Sequence, residues 1–156
     1  MEIVQLVPDD WAMFRALRMT ALSEAPYAFS STLEGEQQLG EGAWRAKLAT
    51  RTQFVAREVG GSPLGTAGAF REGDVIELIS MWVEPRARGR GVGAALVDRI
   101  VDHARAVGCR TVYLHVAEDN AIAGRLYTRC GFTRTGVVEP IRPGEPRLET
   151  TMVRVL

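Results

Sequence analysis

The segment Arg86-Ala87-Arg88-Gly89-Arg90-Gly91-Val92-Gly93-Ala94 carries the clearest chemistry in the chain. It sits between an apolar run, Val75 to Val83 (VIELISMWV), and an amphipathic stretch from Gly91 to about Val107. A strand that feeds a helix through such a turn leaves the first helical amides free and aims the positive end of the helix dipole into the turn. Glycines let backbone approach a ligand with no Cβ in the way. Arginines at 86, 88 and 90 add charge that a diphosphate would neutralise. The segment reads as an anion site; the plainer alternative is a glycine-rich connector with solvated arginines.

Two familiar phosphate loops can be tested against it. The P-loop pattern GxxxxGK[ST] occurs nowhere in the chain, which excludes a nucleotide triphosphatase of that kind. The dinucleotide pattern is formally met by Gly89-x-Gly91-x-x-Ala94, but Glu118 and Asp119 come late for its acidic residue and no second βαβ half follows. A nicotinamide-dependent oxidoreductase is therefore a poor reading.

The elements that must position this turn follow from periodicity. Glu2 to Val7 reads as a strand, Trp11 to Ala25 as a helix stopped by Pro26, and Pro26 to Thr32 as a loop. A second helix spans about Leu33 to Ala49, weakened by Gly35, Gly40 and Gly42, which could break it in two. Gln53 to Val59 and Leu64 to Phe70 form a hairpin across Gly60-Gly61-Ser62-Pro63, and Val75 to Val83 is a central strand. The helix from Gly91 to Val107 has one apolar stripe of Leu96, Val97, Ile100, Val101, Ala104 and Val107. Then come strand Thr111 to Ala117, helix Asn120 to Arg129, and strands Phe132 to Glu139 and Arg147 to Val155. The expected architecture is α/β: a mixed sheet of about seven strands flanked by about four helices, with a right-handed βαβ unit at 75 to 117.

The 156 residues suit one globular domain spanning 1 to 156. Nineteen Lys plus Arg balance nineteen Asp plus Glu, which gives no bulk attraction to nucleic acid or an anionic membrane. No signal peptide or membrane span is evident, and two cysteines without zinc-like spacing argue for a reducing interior, so the expected location is cytoplasmic. No metal is expected.

Arg88-Gly89-Arg90-Gly91-Val92-Gly93 resembles the [QR]-x-x-G-x-[GA] signature of the GNAT superfamily of acetyl-CoA dependent N-acetyltransferases. Leu114-x-Val116, then Asn120, Ala123, Leu126, Tyr127 and Gly131-Phe132, is similar to that family's second run. The resemblance is close over about residues 75 to 135, and the order of elements matches throughout. It implies a GNAT-like acyl-CoA N-acyltransferase fold in which the amides of Arg88, Gly89, Arg90, Gly91, Val92, Gly93 and Ala94 bind the coenzyme A diphosphate. Met81, Trp82 and Val83 would present backbone to the pantetheine arm, Ala123 would give the cofactor room, and Asn120 would cap its helix, bind the coenzyme, or do both. Tyr127 is the candidate general acid, since a phenol of pKa about 10 keeps its proton for the leaving thiolate.

Glu77 is the candidate base, as the one carboxylate in an otherwise apolar strand; a solvent-facing or ion-paired glutamate is the alternative. Strict alternation puts it on the side of Ile79, Met81 and Val83, about 13 Å along the strand from Met81, so a relay water is expected. His115 either lines the cleft or packs as an ordinary strand residue. His103 reads as solvated, and Cys109 and Cys130 as small buried residues. The first two helices, Trp44, and the loops 26–32 and 140–146 would form the acceptor wall. Tyr27, Phe29 and Trp82 could face a cation there, and Glu34 and Glu36 an ammonium, although each fits core or solvated surface equally well.

The implied activity is acetyl transfer from acetyl-CoA to a primary amine of a small molecule or protein, by direct attack in a ternary complex. A non-catalytic acyl-CoA-binding or sensing domain is the alternative. Exposed sheet edges leave a homodimer open.

Overall fold

In a computed structural model that describes residues 1–156, the chain runs β1 (Glu2–Gln5), α1 (Trp11–Glu24), α2 (Leu33–Gln37), α3 (Glu41–Thr50), β2 (Thr52–Arg57), β3 (Pro63–Glu72), β4 (Val75–Val83), α4 (Val92–Ala106), β5 (Thr111–Ala117), α5 (Ala121–Arg129), β6 (Thr133–Pro140) and β7 (Leu148–Val155). Single 3-10 turns occupy Pro8–Asp10, Pro26–Ala28 and Pro85–Ala87. The expected seven strands are all present. The helices number five, the segment 33–49 being broken in two at Gln38-Leu39-Gly40. The Thr32 hydroxyl caps α2 by accepting from the Gly35 amide at 3.1 Å, and Gly40 enters α3 in extended conformation.

The sheet order is β1-β2-β3-β4-β5-β7-β6. All neighbours are antiparallel except β4 and β5, the pair joined through α4. Alternation divides the side chains between two cores. Phe54, Ala67, Ile76, Val112, Leu114 and Met152 face α4 and α5, in a cluster that includes Leu96, Val97 and Ile100 of the α4 stripe. Val55 and Trp82 face the other way, against Phe14, Leu22, Trp44 and Leu48 of α1 and α3. Leu96 and Ile100 are wholly buried, each worth about 1.5–3 kcal/mol of apolar transfer, so the seat of α4 on the sheet is firm.

Candidate acyl-transfer site

The turn before α4 is built from backbone. Gly89 and Gly91 hold φ of 77° and 83°, which side chains disfavour, and this left-handed geometry turns the chain into the helix. The Arg88 amide, expected to face the diphosphate, instead donates to the Pro85 carbonyl at 3.3 Å, whereas no protein acceptor meets the amides of Gly89, Arg90, Gly91, Val92, Gly93 or Ala94; the first bonded amide of the helix is that of Ala95, which donates to the Gly91 carbonyl at 3.0 Å. Six consecutive free donors at a helix N-terminus form an anion cradle. Gly93 serves a different end, since a Cβ there would lie 3.0 Å from Leu126 and 3.6 Å from Met81. It lets α4 approach β4 and α5.

The arginines contribute less charge to the cradle than their spacing suggests. The Arg88 guanidinium donates to Glu24 at 2.6 Å and to the Val83 carbonyl at 3.0 Å, and Glu24 also accepts from the Trp82 indole at 2.9 Å. Burial raises the Glu24 pKa, but the bonds from Arg88 and Trp82 outweigh it and hold the carboxyl below its ordinary value. Arg90 turns outward to Glu58 at 3.2 Å, and its side chain does not line the cleft.

Beside the cradle the sheet opens. β4 and β5 pair only at Val75–Thr111, Ile76–Val112 and Glu77–Tyr113, so β4 from Leu78 to Val83 has no strand on its β5 side. A bulge lies in the same stretch. Ala67 alone on β3 spans Ser80 and Met81 of β4, and Ser80 takes φ of 54°. The bulge reverses the alternation beyond it. Glu77 and Ile79 face the α1–α3 side, whereas Met81 and Val83 pack into the α4 core and Trp82 into the other. The expectation that Glu77 shares a face with Met81 and Val83 is therefore overturned, because a bulge breaks the period of two.

A cavity of about 590 Å³ runs from the cradle through this opening to the α1–α3 side. Tyr127 borders it, nearly buried, edge-on to Phe132, and its hydroxyl has no protein partner. Burial, and then the neighbouring Cys130, push its pKa well above the usual phenol range, so the proton stays on. Asn120 caps α5 by accepting from the Ala123 amide at 3.2 Å, and both residues also border the cavity. On the far side Glu77 meets a polar group that the sequence did not assemble. The Tyr113 hydroxyl donates to Glu77 at 3.3 Å, His115 Nε2 lies 3.7 Å from Glu77, and His115 Nδ1 lies 3.9 Å from Glu149. Burial, and then Glu77, push the Tyr113 phenol up to about 12. Glu149 was missed, although alternation along β7 from the buried Met152 would have put it on the His115 face.

The acceptor wall is partly as expected. Arg142 donates to the Ser30 carbonyl at 2.9 Å and Arg147 to the Tyr27 carbonyl at 2.7 Å, tying the loop after β6 to the loop after α1. Tyr27, Phe29 and Trp82 border the cavity. Trp44 does not: it is wholly buried against Phe14. Glu34 is exposed outside the cavity, and Glu36 is bound in a two-pronged pair with Arg18 at 3.0 and 3.1 Å, so neither carboxylate is free for an ammonium. His103 is half-buried against the Phe54 ring instead of solvated, and Cys109 and Cys130 are free thiols.

Residues 12–132 match the model of the acetyltransferase (GNAT) family. The chain belongs to that family. Among GNAT relatives, the N-alpha-acetyltransferase RimI of Mycobacterium tuberculosis is 32% identical over 127 residues, covering 75% of this chain and 78% of that protein. A mycothiol acetyltransferase of Geodermatophilus obscurus is 44% identical over 75 residues, which cover 48% of this chain and only 23% of that larger protein. A GCN5-related N-acetyltransferase from Kribbella flavida superposes with a TM-score of 0.79 at 24% identity, over 99% of this chain and 97% of that one. The yncA protein of Salmonella typhimurium, solved with its cofactor acetyl-CoA, superposes at 0.78 and 24% identity over 100% and 94%. This GNAT acyltransferase thus shares the fold of those structures from end to end.

Proposed function

We propose that this GNAT protein moves an acetyl group from acetyl-CoA to a primary amine by direct attack in a ternary complex. One observation carries the reading: the unpartnered amides of Gly89 and of Gly91 to Ala94, an unpaired strand edge and a partnerless phenol border a single cavity. Such a cavity fits a diphosphate attached to a two-amide arm that ends in a thioester.

Acetyl-CoA supplies an activated acetyl group. The amides of Gly89 to Ala94 hold its diphosphate, and the β4 edge from Met81 to Val83 pairs with its pantetheine amides, with Asn120 and Ala123 alongside. An amide on that edge polarises the thioester carbonyl. Glu77 takes one proton from the acceptor ammonium through water, with His115 and Glu149 extending the route to solvent. A C–N bond then replaces the C–S bond. Tyr127 gives its proton to the departing sulfur and regains one from the new amide nitrogen, so the ammonium loses two protons in all.

The test is calorimetric titration of the purified protein with acetyl-CoA, with NADH as control ligand, and thiol release followed against a pool of amines. Saturable acetyl-CoA binding with amine-dependent thiol release is expected. No binding at high micromolar acetyl-CoA overturns the reading, and binding with no turnover on any amine turns it into that of a sensor.

A further inference from the structure

The α1–α3 end of the cavity is cationic and incompletely paired. Arg18, Lys47 and Arg51 all border it, and Glu36 is the one carboxylate among them. Glu36 binds Arg18 in the two-pronged pair and lies 3.9 Å from Lys47. Arg18 is 4% exposed, and its Nη1 is buried with no hydrogen-bond partner. Arg51 lies 3.4 Å from the Ser80 hydroxyl and stacks over the Phe14 ring at 5.2 Å, while its Nε is also buried without a partner. Ion donors left unpaired in a desolvated wall are costly, and an anion arriving in the cavity would complete the set. The floor on the β5 and β7 side has the opposite sign, with Glu77 and Glu149.

Resting on the acetyltransferase reading, we infer that the acceptor carries a carboxylate beside its amine, with the carboxylate held by Arg18, Lys47 and Arg51. Guanidinium forks match a carboxylate in plane, and three cations sharing one counter-ion gain most from a second anion. Burial and then the Arg51 charge depress Lys47, and burial and then Arg18 bring Arg51 down to about 10; an arriving anion relieves both. A polycation would meet repulsion here, which turns the same wall against amines that lack an acid group. The Ser80 bulge gives the wall its place, because Arg51 reaches the β4 residue whose unusual backbone opens the path to the cradle.

The experiment compares thiol release for matched pairs of acceptors: free α-amino acids against their carboxamides, and phosphoethanolamine against ethanolamine. Free acids should exceed their amides in kcat/KM by about tenfold or more, the scale of a single charge-assisted hydrogen bond. Arg51→Met and Lys47→Gln, each checked for a cooperative melt, should pull that ratio toward one through KM. A ratio at or below one in the wild type, or a preference confined to phosphoethanolamine, overturns the carboxylate. Amides that turn over as well as the free acids would sink this inference and leave the transferase reading standing. Where no amine turns over, calorimetry of amino acids on the CoA-saturated protein decides: binding by acids and not amides, lost in Arg51→Met, supports the site, and its absence removes it.

Discussion

The two halves of the cavity are made of different materials. The end proposed for the coenzyme uses backbone: amides 89–94 and the free edge of β4, drawn from one contiguous stretch. The end proposed for the acceptor uses side chains from α1, α2, α3, β4, β5 and β7, among them Arg18, Glu36, Lys47, Glu77, His115 and Glu149. Backbone donors bind what every member of a family binds, and are set by local conformation. Side chains from scattered segments can change one at a time, which leaves specificity free to vary over a constant cradle.

The contrast is tested most severely at Gly91. Its φ of 83° is left-handed, yet a Cβ there would touch nothing within 4 Å. Gly91→Ala therefore adds strain without a clash, about 1–3 kcal/mol, relieved only by turning the amides away from the ligand. The apparent affinity for acetyl-CoA should fall about tenfold or more, with the α4 core and its cooperative melt retained. Unchanged affinity by calorimetry would show that the cradle does not depend on this backbone geometry.

A smaller effect separates the acid from the base. Tyr127→Phe should lower kcat by about tenfold to a hundredfold with KM for acetyl-CoA little altered, at the low end for general acids because a thiolate leaves tolerably unaided. Glu77→Gln should act on the acid limb instead. A base works only when deprotonated, so wild-type kcat/KM falls as pH drops, and without Glu77 that limb should move up toward the amine's own pKa, about 8 for an α-amino group. Tyr127→Phe with wild-type kcat, or Glu77→Gln with an unmoved limb, would remove the respective role.

The same division explains what could be read from the chain. The order of elements along the chain, the βαβ unit and the cradle were legible because each rests on a local pattern: apolar alternation, a 3.6-residue stripe, glycines at a helix start. The residue-by-residue phase of β4 was not. The Ser80 bulge is a tertiary irregularity with no glycine or proline to mark it, and it moved Met81 and Val83 to the face opposite Glu77. The pairing of Glu36 with Arg18, eighteen residues away, was equally hidden, so a carboxylate expected to attract an ammonium proved to be a counter-ion. Trp44 shows the converse error, since an aromatic at helical spacing near the cleft was only core. Glu149 needed no tertiary knowledge, only the alternation of β7 carried one strand further.

Glu149 supplies the smallest effect. Burial raises its pKa above the ordinary 4.5, with the nearby His115 opposing and Glu139 and Glu77 adding to the rise. A raised carboxyl binds its proton more tightly in the folded state, so the stability linked to it is full below about pH 4.5 and is lost as pH climbs through the folded value. At neutral pH the folded protein carries this carboxylate at a cost. Glu149→Gln should then raise the melting temperature at pH 7 by about 1–3 °C, as a partly screened effect below about 1 kcal/mol would in a chain of this size. The gain should vanish below pH 4, where wild type is itself neutral at this position. Turnover should move the other way if, as proposed, this carboxylate accepts protons relayed through His115. A variant that is neither more stable at pH 7 nor slower would mean that Glu149 merely faces solvent, and that the acidic floor of the acceptor half is Glu77 alone.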